Sequence, residues 1–304
     1  MNRQPSHDFV ASLTAPFWKQ GLPVVTPIHG KGIVNHVYIL EQSGIKLIAR
    51  LNDNRASDEF AKEAWCIDKA AVLGIPGPEV LDVGEQGGWH YMLLSHAGDL
   101  NGTDYPDQLE LWEWLGKQAL KLHAVETSAF GESLEDLSAS KDNGGWQKYI
   151  AYNLDCLTQD DPLIRLKVYR PEQQETLRTL FKSIAGRNHS LSLCHGDLSP
   201  RNIVIDESKT FTLIDWGSAA SHVAPYYDMV ECISRHGADS REIAAFCKGY
   251  GLTDADYLHV KPELKELMVL RAIDLVRYAM DRAPQETPEK IEDCRRTFLQ
   301  FGLS

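Results

Sequence analysis

The stretch at residues 193–219, LCHGDLSPRNIVIDESKTFTLIDWGSA, constrains the fold of this chain more than any other. Two short apolar runs, NIVI at 202–205 and FTLI at 211–214, flank the turn-forming tetrapeptide Asp206-Glu207-Ser208-Lys209 and predict a β-hairpin. A hairpin sets its flanks side by side, so the loop carrying Asp197 and Asn202 enters next to where Asp215 leaves. One Asp or Asn at a turn is ordinarily a backbone cap. Three such oxygen-bearing side chains converging at one hairpin end instead suit a hard cation. Mg²⁺ in particular is held by few protein oxygens plus substrate phosphates, so the stretch points to phosphoryl-transfer chemistry.

His195-Gly196-Asp197, then Asn202, then Ile214-Asp215-Trp216-Gly217 resemble the signature of the aminoglycoside phosphotransferase and choline kinase-like group. Protein kinases carry a related form. The resemblance implies an α+β, bilobal protein-kinase-like fold. A small antiparallel-sheet lobe with one main helix would cover residues 1–96 and bind nucleotide, and a larger, mainly helical lobe over 97–304 would carry catalysis and the acceptor. ATP is implied as phosphoryl donor with Mg²⁺, in the cleft between lobes. Asp197 is implied as the catalytic base, Asn202 and Asp215 as metal ligands, and His195 as the ring that orients the loop. Tyr226-Tyr227-Asp228-Met229 is similar to the family segment in which the Asp braces that loop.

Residues 22–51 alternate as strands do, with a turn expected at Pro27 and a hairpin about Gln42-Ser43-Gly44. The loop Gly30-Lys31-Gly32-Ile33-Val34-Asn35 can lay backbone N–H groups against phosphate, because glycine permits close approach. The form of Gly32 and Asn35 is similar to that of small-molecule phosphotransferases. Along the third strand Ile45, Leu47, Ala49 and Leu51 share one face and Lys46, Ile48 and Arg50 the other. The resemblance gives Arg50 the phosphate-binding position, where a forked guanidinium can grip bidentately; Lys46 is the alternative on the same face. A helix follows Ser57, with Phe60, Ala64, Ile67 and Ala71 at helical spacing, ending near Gly74 ahead of Pro76-Gly77-Pro78. Glu63, or alternatively Glu59, could orient Arg50. Strands are expected at 79–83 and 90–94. Ser95-His96-Ala97-Gly98 breaks the pattern and marks the domain boundary; by resemblance this is the hinge, placing Leu94, His96 and Ala97 against adenine through main chain.

Beyond it the pattern is helical, at about 108–126, 146–158, 171–187, 239–250, 262–282 and 288–300, with a polar loop at 136–145. At 304 residues and 43% hydrophobic the chain can bury a sizeable core. Six cysteines with no Cys-x-x-Cys pair argue for reduced thiols and the cytoplasm. No run approaches a membrane span and the N-terminus lacks a signal pattern. A net charge of −12 without a basic cluster argues against a nucleic-acid partner and would steer a cationic small molecule. The expected function is transfer of the ATP γ-phosphate to a hydroxyl of a small, cationic acceptor, aminoglycoside-type antibiotics favoured. The rivals are a kinase for a metabolite alcohol such as choline, thiamine or homoserine, and a nucleotide-binding pseudokinase. Metal-dependent hydrolysis would want a richer His and Asp ligand set.

Overall fold

Residues 4–18, 21–28, 35–53, 57–139, 141 and 144–303 are described by a computed structural model. In chain order they form α1 (His7–Leu13), β1 (Val24–Ile28), β2 (His36–Gln42), β3 (Ile45–Asn52), α2 (Ser57–Val72), β4 (Val80–Gln86), β5 (Trp89–Ser95) and β6 (Leu100–Asn101). Then come α3 (Gln108–Leu122), α4 (Leu134–Ser138), α5 (Gly145–Asp155), α6 (Pro162–Arg165), α7 (Gln174–Ala185), β7 (Leu191–Cys194), β8 (Ile203–Ile205), β9 (Phe211–Leu213) and β10 (Ala220–Val223). The chain closes with α8 (Tyr226–His236), α9 (Arg241–Tyr250), α10 (Asp254–Arg282) and α11 (Thr287–Gln300). Two compact units result: Met1–Gln108 with Ser133–Glu135 and Ser199–Ala219, and Leu109–Glu132 with Asp136–Leu198 and Ala220–Ser304.

The first unit is built on an antiparallel sheet of order β1-β2-β3-β5-β4. One face of β2 and β3 buries Tyr38, Leu40, Leu47, Ala49 and Leu51, and α1 covers it with Val10 and Leu13, whereas Ile45, expected on that face, stays exposed because it begins β3 at the hairpin turn. Each fully buried Leu contributes roughly 1.5–3 kcal/mol. The opposite face of β3 thereby presents Arg50, which lies in register between Val37 of β2 and Met92 of β5. The strand expected to turn at Pro27 instead continues to Ile28. Because β1 is an edge strand, the missing proline N–H breaks no inner ladder. On α2 the buried residues are Phe60, Lys62, Glu63, Cys66, Ile67 and Ala70, while Ala71 is exposed. The inward face therefore carries two charges that an apolar stripe would not suggest. A smaller sheet, β6-β8-β9, contains the hairpin read from 202–214, with Ile203 opposite Leu213.

In the second unit α3 buries Leu111, Trp112, Leu115, Ala119 and Leu122. It packs very closely on α9: a Cβ at Gly116 would stand 2.1 Å from the Phe246 carbonyl oxygen, and one at Gly249 1.9 Å from that of Glu113. Only glycine at both positions allows this crossing. Helix α10 starts eight residues ahead of the position Pro262 suggests. Thr253 and Asp256 form a reciprocal capping box (3.1 and 3.0 Å) that nucleates it, and the helix then runs through the proline. Its Arg277 grips buried Asp161 with both terminal nitrogens (3.1 and 2.7 Å). The polar segment read as a loop from 136 holds the end of α4. Strand β7 pairs antiparallel with β10, Cys194 opposite Ala220.

Candidate active site

In the first unit, Arg50 and Glu63 form an ion pair, with Glu63 on the α2 face turned toward β3. Glu59 is exposed, and among the described residues it is Glu63 that meets Arg50. Burial raises the Glu63 carboxyl above its ordinary range, opposed by the Arg50 charge and hydrogen bond. The guanidinium also stands 3.7 Å from Asp215 Oδ1 and 5.6 Å from the Phe60 ring centre. Lys46, the alternative, is engaged elsewhere: its ammonium donates to both Asp99 oxygens (2.9 and 3.0 Å).

Asp215 follows the hairpin in a left-handed conformation (φ 64°, ψ 68°), which is costly for a residue with a Cβ. Its side chain remains 53% exposed. Two tethers hold this conformation. The Ile214 N–H donates to the Asn202 carbonyl (2.9 Å), tying the residue before Asp215 to Asn202, and the Leu213 N–H donates to the Pro76 carbonyl (2.9 Å). Beyond Asp215, buried Lys62 donates to the carbonyls of Gly217 (2.7 Å) and Ala219 (3.3 Å). Lys62 has no counterpart in the sequence reading, because a lysine inside a helix reads as solvated surface; its adjacency to Glu63 was the available signal.

The remaining nucleotide-side residues are more scattered. Asn35 accepts a hydrogen bond from Asn52 Nδ2 (3.0 Å). Gly32 and the rest of the loop at 29–34 lie outside the described residues. Leu94 is buried in β5, while His96 Nε2 stands 3.4 Å from Asp99 Oδ1, with burial lowering the imidazole pKa. Ala97 follows, half-buried, in the irregular chain after β5.

The second unit holds Asp197 on the loop after β7. Gly196, at φ 76°, provides the left-handed turn that the loop requires. Asp228 is fully buried and accepts the backbone N–H groups of His195 (3.1 Å) and Gly196 (2.7 Å). Burial opposes its charge, but the His123 hydrogen bond and the His123 and His195 charges outweigh it and hold the carboxyl below its usual range. His195 Nδ1 accepts the Asp197 N–H (3.3 Å), so this ring fixes the loop from within. His123, Cys194 and Asp228 come within 4.8 Å of one another, a spacing a metal could use. However, His123 bonds Asp228 through Nε2 (2.9 Å) and Tyr250 through Nδ1 (3.0 Å), which leaves it no nitrogen for an ion. The cluster is a brace.

Arg235, in the last turn of α8, places Nη2 2.6 Å from Asp197 Oδ1. The sequence reading omitted this residue. The signal was present, since 228 and 235 are two helical turns apart and share a face.

These two constellations and the α+β fold around them define the class of protein-kinase-like phosphotransferases. The phosphotransferase enzyme family model matches residues 25–262, and the chain belongs to that family as a small-molecule kinase. Among solved structures it is similar to a thermostable mutant of aminoglycoside phosphotransferase APH(4)-Ia in ternary complex with AMP-PNP and hygromycin B (17% identity, 95% and 97% of the two chains, TM-score 0.67). It is also similar to the GDP complex of aminoglycoside 2′-phosphotransferase-IIIa (17%, 97% and 98%, TM-score 0.65). A third likeness is to spectinomycin phosphotransferase APH(9)-Ia with ADP and spectinomycin (14%, 96% and 95%, TM-score 0.57). At these identities the likeness is one of fold. A comparison with curated protein sequences finds no match.

Proposed function

We propose that the protein transfers the γ-phosphate of ATP to a hydroxyl of a small, cationic acceptor, with residues 1–96 serving the nucleotide and 97–304 the acceptor. The observation that carries this reading is the cluster of Arg50, Glu63 and Asp215, which pairs an oriented guanidinium with an exposed carboxylate held in a strained turn. Arg50 grips phosphate oxygens and Glu63 keeps its fork in place. Gly32, Asn35, Leu94, His96 and Ala97 contribute to the nucleotide site, the last three through main chain. Asp215 and Asn202 offer a carboxylate and an amide oxygen, a hard donor set that fits Mg²⁺ completed by phosphates. When bound, that ion neutralises charge on the phosphates.

Asp197 accepts the proton of the acceptor hydroxyl as its oxygen forms the new bond to the γ-phosphorus. The bond from that phosphorus to the bridging oxygen breaks, and ADP departs with the electron pair. Catalysis of this kind rests on positioning and on fixed charge, which is what the Asp228 brace and the Glu63 pair provide. The acidic chain, at −12, favours a cationic acceptor, and the neighbours' ligands make an aminoglycoside-type antibiotic the first candidate. A metabolite alcohol is the second. Unpaired thiols suit a cytoplasmic protein.

The roles separate under mutation. Asp197→Asn should leave Mg·ATP affinity, measured by calorimetry, nearly intact while turnover in a coupled ADP assay falls roughly 10²- to 10⁴-fold. Asp215→Asn should lose both. If Asp197→Asn abolished nucleotide binding and Asp215→Asn spared it, the two roles would be exchanged.

A further inference from the structure

The second unit contains a cavity of about 270 Å³ walled by the loop after α3, by α5, β10, α8 and α10. Two of these walls also hold the catalytic loop: β10 pairs with β7, which leads into it, and α8 carries both Asp228 and Arg235. The lining is aromatic. His222 stacks on Tyr227 (centroids 4.0 Å apart, 13° between planes), and Phe130 stands 4.8 Å from His222 and 5.4 Å from Trp146.

The polar groups left over at this cavity are mostly donors. Trp146 Nε1–H is buried with no hydrogen-bond partner. His222 Nδ1 accepts the Val223 N–H (2.8 Å), so the ring proton sits on Nε2. Burial, then the Arg271 charge, push the His222 pKa down to about 3, and the imidazole stays neutral at ordinary pH. Donors without acceptors call for ligand oxygens, and flat rings call for an apolar ligand face.

The charges at the cavity are largely spent. Arg271 is ion-paired with Glu231 through Nη2 and stands 5.7 Å over the Tyr227 ring, while its buried Nε–H has no partner and joins the leftover donors. Asp274 accepts from Asn153 Nδ2 (3.1 Å) and from the Tyr149 hydroxyl, and burial raises its pKa. Neither lining carboxylate is ion-paired among the described residues, but the Asp274 oxygens are taken up by these hydrogen bonds, which leaves exposed Glu132 as the one with neither an ion pair nor a hydrogen bond. An extended polycation would need several such carboxylates. The volume also falls just below the ~300–1,000 Å³ typical of pockets for drug-sized ligands.

We propose that this cavity seats the acceptor as a single oxygen-bearing ring, a monosaccharide- or cyclitol-sized polyol with at most one amine, its hydroxyls taking the N–H groups of Trp146 and His222. This rests on the phosphotransferase reading and, of its two acceptor candidates, favours the metabolite alcohol over the multi-ring aminoglycoside.

The test is calorimetry on the full chain with glucosamine, myo-inositol, spermine and hygromycin B, and with Mg·ATP in the same samples. Glucosamine or myo-inositol should bind in the millimolar range, more tightly than spermine. Trp146→Phe, which keeps one aromatic ring and removes the N–H together with the other half of the indole, should weaken that binding roughly tenfold or more and leave Mg·ATP affinity unchanged. Glu132→Gln, on an exposed side chain that folding does not need, should weaken glucosamine and spare myo-inositol. Tighter binding of spermine or hygromycin B than of either ring, no binding of either ring, or ring binding indifferent to both variants would overturn the proposal. Loss of Mg·ATP binding by the unmodified protein would instead overturn the phosphotransferase reading, so the two failures are distinct.

Discussion

Arg50→Met separates the structural duty of the Arg50–Glu63 pair from the nucleotide-binding one proposed for it. Glu63 is 3% and Arg50 13% exposed, so removing the guanidinium strands a carboxylate in the interior. Breaking a buried pair from one side typically costs about 3–5 kcal/mol. The Asp215 contact adds little, because at 3.7 Å and half in solvent it contributes about 1 kcal/mol. The cost has a pH signature. Burial already raises the Glu63 pKa, and without Arg50 that rise is unopposed. A carboxyl whose folded pKa exceeds its unfolded one binds the extra proton in the folded state, so stability falls as pH rises through that window. Urea denaturation should therefore show a small penalty near about pH 4 and the full one near about pH 8. Adding Glu63→Leu should recover at least half of the loss, since the stranded charge is gone, while Mg·ATP binding stays lost in both variants. A loss below about 1 kcal/mol at every pH, or a double variant no better than the single, would refute the reasoning.

Arg235→Met removes a charge 2.6 Å from Asp197; it should lower turnover roughly 10- to 100-fold and move the acid limb of the pH–rate profile to higher pH, with Arg235→Lys intermediate. A profile that only scales down, with no shift, would reduce Arg235 to a packing residue. Asp228→Asn should cost about 3 kcal/mol or more by urea denaturation. Because the native carboxyl lies below its usual range, the unmodified protein should lose this contribution as pH falls through that folded pKa, and the variant should lack that acid-side loss.

The hairpin of the central stretch was legible because its signal is local: β-branched runs, a four-residue turn and fixed offsets between Asp197, Asn202 and Asp215. The α+β class followed from the family resemblance that these residues carry. Other features depend on partners remote in sequence. Pro27 reads as a turn until its strand is known to lie at an edge, and Pro262 reads as a helix start until the Thr253–Asp256 box is seen to nucleate the helix ahead of it. Ala71 fits the helical stripe of α2, yet the buried face turns toward Lys62 and Glu63 because those charges have partners on β3 and after β9. Arg235 and the aromatic cavity likewise arise where α8 meets other elements, which no window of sequence contains.

Lys62 and Glu63 are neighbours on α2 that fasten it in two directions, Glu63 to Arg50 of β3 and Lys62 to the carbonyls that follow Asp215. Three segments far apart along the chain are thereby riveted into one piece. None of Arg50, Lys62 and Glu63 can be exchanged alone without leaving a charge or a carbonyl without its partner. Over evolutionary drift these three should thus be inherited as a block, while half-exposed Asp215 is held to it only by a weak contact. Where relatives depart from the block, they should change at several of these positions at once, and a graft of this region from another member would have to carry all three together.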